Sequence, residues 1–259
     1  MGHVRLGRLP ATRKWNEVVA LLGERAPVGD IAGASANAAE ASLSAARDDP
    51  ALLHAFWLLT QLPLAARSGD FERALADLGL DVPANPGLSD LAGAVAESVD
   101  RQALLAGGRT DLGELAQSAV VQSLASVVGR ELPQLFGSTA EDVRSALGRF
   151  AGKDSFGRLA RDFLATLTLK HLDYYLSRAM PDFVGTASRF DDVADPTRFN
   201  EALELHCREA SRIVEDFAGT WFSKTQYETG ITPEKARGFA LVALRKIGAE
   251  LKARRGTNG

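Results

Sequence analysis

A chain of 259 residues with 46% hydrophobic and 24% charged content can bury a sizeable core, which excludes global disorder and fits one large domain or two small ones. The formal net charge of -3 is unevenly spread: residues 1–16 carry +4, residues 233–259 carry +5 and the remainder carries -12. Two basic ends on an acidic body can meet an acidic partner, nucleic acid or each other.

Residues 12–22 place Trp15, Val18, Val19 and Leu22 at helical spacing. After the turn GERAP, VGDIAGAS predicts a small helix and SANAAEASLSAARDD an Ala-rich one. The stretch ALLHAFWLLTQLPLAA, residues 51–66, is apolar all round apart from His54, Thr60 and Gln61. A helix without a polar face is normally a buried central helix, and this one is too short and too interrupted to span a bilayer. Asp49 is placed to cap it, Pro50 suits the first helical position, and Pro63 is expected to kink or end it. A short helix over 70–78 precedes residues 79–87, GLDVPANPG, the clearest linker. Leu88 to Leu105 follows with Leu91, Val95, Val99 and Ala103 on one face, then Leu112 to Leu132, limited by Pro133. Ser138-Thr-Ala-Glu141 reads as a capping box opening a helix to Phe150. Residues 155–180 predict a long helix with Phe156, Leu159, Phe163, Leu167 and Tyr174 facing in. After a loop over 181–195, Asp195-Pro196 opens what reads as the longest helix, to about Tyr227, with the seam Phe199, Leu203, His206, Ala210, Ile213, Phe217 and Trp221. Thr232-Pro233-Glu234 opens the last helix, with Phe239, Ala243, Ile247 and Leu251 facing in.

No stretch alternates with period two and no fixed-period repeat occurs. The expected fold is an all-α multi-helix bundle of roughly nine to eleven helices without a sheet, packed ridges into grooves. The linker divides an N-terminal helical region, 1–78, from a C-terminal bundle, 88–259, unless the two are one continuous domain.

Few motifs carry chemistry. Gly148 and Gly152-Lys153 resemble a phosphate loop, but only three residues separate the glycines, Asp154 follows the lysine and no strand precedes it. A helix end and a new helix start fit better. His206 and Cys207 are adjacent, so on a helix they point about 100° apart and cannot both chelate one ion easily. His171 and Asp173 share that difficulty, and no HExxH or CxxC is present. No GxSxG occurs, and Cys207, the single cysteine, excludes an intrachain disulfide and fits a reducing compartment. Beside an apolar seam its thiol is expected to be inert. Asp191-Asp192 and Glu215-Asp216 read as loop and solvated-face acids, and Glu204 with Arg208 and Arg212 with Asp216 as surface pairs.

Residues 15–43 have the cadence of a helix-turn-helix, preceded by a basic segment suited to phosphates. Its third helix would offer Asn37 and Ser42 to base edges, but no Arg or Lys before Arg47, so a helical hairpin over the core helix is the better reading. In TWFSKTQYETG, residues 220–230, Trp221, Phe222 and Tyr227 cluster with Lys224 near a helix end, a combination that anchors protein partners or stacks bases unless it packs on the final helix.

The chain therefore reads as a non-catalytic interaction or scaffold subunit of a multi-protein assembly, without an active site, metal or cofactor of its own. Arg5, Arg8, Arg13, Lys14, Trp221, Phe222, Lys224, Tyr227, Arg254 and Arg255 are the expected partner-binding residues. The alternative is a nucleic-acid-binding protein using both basic ends. A protein partner is expected and no membrane; nucleic acid and self-association stay open. No signal peptide is recognised, so a soluble, cytoplasmic location is expected, and Ala, Gly and Arg usage suggests a GC-rich bacterial source.

Overall fold

The capping and periodicity signals become eleven α-helices in the computed structural model, which describes residues 12–40, 48–133, 138–185, 188–192 and 194–256. The structure is 79% helical, with no strand or sheet among the described residues and one isolated bridge, Val184 to Phe190. The Thr12 hydroxyl accepts the Trp15 N–H and opens α1 (Arg13–Gly23). After Pro27 comes α2 (Val28–Ala38). Asp49 caps α3 (Pro50–Ala66), accepting the Leu52 N–H at 2.9 Å. Then follow α4 (Phe71–Asp77), α5 (Leu88–Leu105), α6 (Asp111–Ser123), α7 (Ala140–Arg149), α8 (Lys153–Ala179), α9 (Asp195–Ala210), α10 (Arg212–Thr229) and α11 (Pro233–Ala253).

Two helices form the centre. α3 packs against α5, α6, α7 and α11, and α8 packs against α6, α9 and α10. Phe56 of α3 and Phe163 of α8 join them, ring centroids 5.8 Å apart. Phe56, Leu58, Leu59 and Leu62 are fully enclosed, and side chains of this size contribute about 1.5–3 kcal/mol each when buried. One cluster of buried apolar residues runs from Trp15 to Leu251, on both sides of the 79–87 segment. The apolar faces expected on α5 and α11 are buried as read.

Several boundaries differ from expectation, each for a local reason. Pro63 does not end α3, which continues to Ala66; Pro63 is itself buried, so packing outweighs the lost backbone donor. The capping box of α7 sits one residue on: Thr139 Oγ1 accepts the Asp142 N–H, and Asp142 accepts the Thr139 N–H. α2 runs on to Ala38 and so absorbs the start of the expected Ala-rich helix; residues 41–47 lie outside the described set. The helix expected over 112–132 turns into a π turn, Leu124–Val128, and a 3-10 turn, Gly129–Glu131.

The helix expected from Asp195 to Tyr227 is two, divided at Ser211. The buried Ser211 hydroxyl donates to the Cys207 carbonyl at 2.7 Å, a back-bond that bends helices. The buried seam is Phe199, Leu203, Cys207 and Ala210 on the first helix, then Val214, Ala218 and Phe222 on the second. His206 is half-buried and Ile213 is 37% exposed. Arg212 pairs with Glu209 at 3.2 Å rather than with Asp216. The longest helix is instead α8, 27 residues. It meets α10 closely, because a methyl group on Gly157 would collide with the Glu215 carbonyl and one on Gly219 with the Lys153 carbonyl. That approach seats Phe222 on Phe156, centroids 3.9 Å apart.

Candidate functional site

Gly230, with φ of 74°, ends α10, and Thr232 caps α11 by accepting the Lys235 N–H. Between the two helices lies an open groove of about 950 Å³. Phe217 and Trp221 line it from α10, Phe239 and Val242 from α11. Its floor is held from below. The Phe239 ring stacks on Phe56 of the central helix at 5.6 Å and on Trp221 at 4.3 Å. Gln61 of α3 donates to the Ile231 carbonyl at 3.3 Å and ties the connecting turn to the same helix. The aromatic floor is thus fixed before anything binds, which lowers the ordering cost of association.

The rim is polar and unevenly charged. Asp216 lines the α10 side and makes no ion pair with any described residue. Glu228, further along, lies 3.9 Å from Lys224. On the α11 side, Lys246 lies over the Phe217 ring at 5.6 Å, and Lys235 donates to the Gly230 carbonyl at 3.0 Å.

The late aromatic segment therefore divides. Trp221 lines the groove, Tyr227 is 93% exposed, and Lys224 is exposed beside Glu228. Phe222, at 1% exposure, is core. Val242 was missed in the sequence. It is 37% exposed and sits one helical step from the inward seam of α11, so the signal was an apolar residue off that seam.

Among the described residues, one lysine from each basic end reaches the same carboxylate. Lys14 lies 3.3 Å from Glu40, and Lys252 lies 3.2 Å from the same carboxylate. The two lysines hold Glu40 below the ordinary carboxylate range. Arg255 pairs with Glu17, and Arg254 donates to the Glu209 carbonyl at 3.3 Å. Arg13 is exposed, and Arg5 and Arg8 lie outside the described residues. Ser35, at the start of the expected recognition helix, is buried in α2.

His54 bonds Ser98 at 2.9 Å, and its pKa falls through burial. His206 packs on Gly29 of α2, and burial lowers its pKa too. Burial pushes the Cys207 thiol up to about 12, with the Glu204 charge acting the same way. Gly152 caps α8 and Lys153 begins it. Among the described residues no three His, Cys, Asp or Glu side chains are grouped to hold a metal ion, and no helix is long and apolar enough to cross a membrane. Comparison with known proteins gives no matching family model, no matching curated protein and no matching solved structure.

Proposed function

We propose that this protein is a non-catalytic interaction subunit that receives an amphipathic helix of a protein partner in the groove between α10 and α11. The observation that carries this is the preformed aromatic floor, Trp221 stacked on Phe239 and Phe239 on Phe56, open to solvent along one side. A third helix laid between two others is a common mode of recognition, read as apolar anchors at i, i+3, i+4 and i+7. The rim favours a partner helix with cations facing Asp216 and Glu228 and an anion facing Lys246. Nucleic-acid binding draws less support, because Lys14, Lys252 and Arg255 already face carboxylates of the same chain.

The test is affinity purification of the full chain from its own host, wild type beside Val242→Arg. Val242 is exposed, so the substitution should leave the melting temperature unchanged while placing a charge in the groove. A protein retained by the wild type and lost from the variant, with a crosslink to α10 or α11, supports the docking role. Retention of the same proteins by both, or of none by either, overturns it.

A further inference from the structure

The face of α8 formed by Arg158, Arg161, Asp162 and Ala165 has i, i+3, i+4 and i+7 spacing, so these side chains project to one side. They open onto a second concavity, about 270 Å³, at the π turn that follows α6. Arg130 enters from the 3-10 turn and Arg208 from α9, so four arginines line one small space. π turns are rare and frequently mark functional sites.

Every carboxylate in this lining is already held. Asp162, buried, accepts from Ser123 at 2.8 Å, from Ser126 at 3.2 Å and from Arg208 at 3.0 Å. Ser123 and Ser126 flank the start of the π turn, so that turn is fastened to the wall of the cavity. Glu215 accepts from Arg161 at 2.7 Å, and Glu131 from Arg149 at 2.9 Å. Arg161 also donates to the Arg208 carbonyl at 3.1 Å, and the Arg208 guanidinium donates to Glu204 at 2.7 Å, so both guanidinium groups are held. Arg130 and Arg158 remain, with no hydrogen bond or ion pair to any described residue. Each brings a planar fork of donors that matches carboxylate or phosphate oxygens. Phe150 and Val127 supply an apolar wall beside them.

We propose that this cavity binds a small organic oxyanion, its carboxylate or phosphate head held by Arg130 and Arg158 and its short apolar body against Phe150 and Val127. The volume falls just below the usual range of about 300–1,000 Å³ for drug-sized ligands, so a nucleotide is too large. The site is separate from the α10–α11 groove, and its existence does not depend on what that groove binds.

Isothermal titration and thermal shift with inorganic phosphate, phenyl phosphate and benzoate test it, each against the full-length protein at constant ionic strength. Saturable binding of at least one probe is expected, with a rise in melting temperature. The pair of phenyl compounds shares a body and differs in head, so the tighter one identifies the head group. Arg130→Gln with Arg158→Gln should keep the unliganded melting temperature, since neither side chain holds the fold, and weaken binding by roughly tenfold or more. Arg13→Gln with Arg245→Gln removes the same charge elsewhere and should bind as the wild type does. No saturable binding of any probe up to about 10 mM overturns the proposal, and so does equal binding by wild type and the Arg130/Arg158 variant.

Discussion

His171 lies inside α8, 1% exposed, its ring edge-on to Tyr175 at 5.7 Å. Burial pushes its pKa from 6.5 to about 4. In the folded protein the imidazole is therefore neutral across the range where the unfolded chain gains a proton. The stability that this contributes is fully present above about pH 6.5 and is lost as pH falls towards 4, by about 3 kcal/mol in total. His54 and His206 are pushed the same way, so urea melts of wild type alone would merge the three. His171→Phe should flatten most of the decline between pH 6.5 and 4, whereas an unchanged slope would place it on the other two histidines. The thiol neighbouring His206 behaves similarly: Cys207, pushed up to about 12, should resist a thiol reagent in the native state and react on unfolding. Rapid native labelling would contradict its burial. The burial of the thiol was legible from the seam beside it. The choice of Cys207 over its neighbour His206 for the seam was not, because i+3 and i+4 from Leu203 fit one helical face almost equally well and only the packing against α8 decides between them.

Among the helices, α3 was recognisable because almost nothing polar interrupts it, and the buried Phe56 packs against both Phe163 and Phe239. Phe56→Ala should cost about 3–5 kcal/mol, measured by chemical denaturation, since the residue joins both central helices and the groove floor. A loss below about 1 kcal/mol would mean that the site collapses around the void. α8 was not recognisable as a second central helix. Its buried Asp162, Thr166, Thr168 and His171 resemble a polar face in the sequence. The burial of two of them is matched by partners, Ser123 and Ser126 for Asp162 and the helix's own Leu164 carbonyl, at 2.7 Å, for Thr168. Gly157 and Gly219 were equally silent, since a glycine in a helical pattern reads as a weakness until the opposing backbone is known. With the Lys153 carbonyl carbon 2.9 Å from where a Cβ would lie, Gly219→Ala must separate α8 from α10. The expected loss is about 1–3 kcal/mol, although alanine is the better helix former. A stabilised variant would show that the two helices yield without cost.

Across the molecule, the uneven charge visible in composition acquires a geometry. The acidic share is partly spent at the junction of the two ends, where Glu40 lies between Lys14 and Lys252 and Glu17 faces Arg255. Charge counting alone left three destinations for the basic ends; among the described residues, Lys14, Lys252 and Arg255 face carboxylates of the same chain. These pairs are half-exposed, so each contributes about 0–1 kcal/mol, and their removal should scarcely move the melting temperature. Their larger consequence is for nucleic acid. Cations that already face carboxylates release fewer counterions from phosphates, so wild-type affinity for duplex DNA should sit at the weak end, about 10⁻⁴ M, of the non-specific range. Glu17→Gln with Glu40→Gln leaves Lys14, Lys252 and Arg255 without those partners. That variant should bind more tightly, with log affinity falling against log salt at a slope of about -0.9 for each phosphate newly neutralised. A titration of fluorescent duplex DNA at two salt concentrations measures both. Submicromolar, salt-sensitive binding by the wild type, abolished by removing residues 1–14, would show instead that the ends are free to meet phosphates, and would make nucleic acid the partner to pursue.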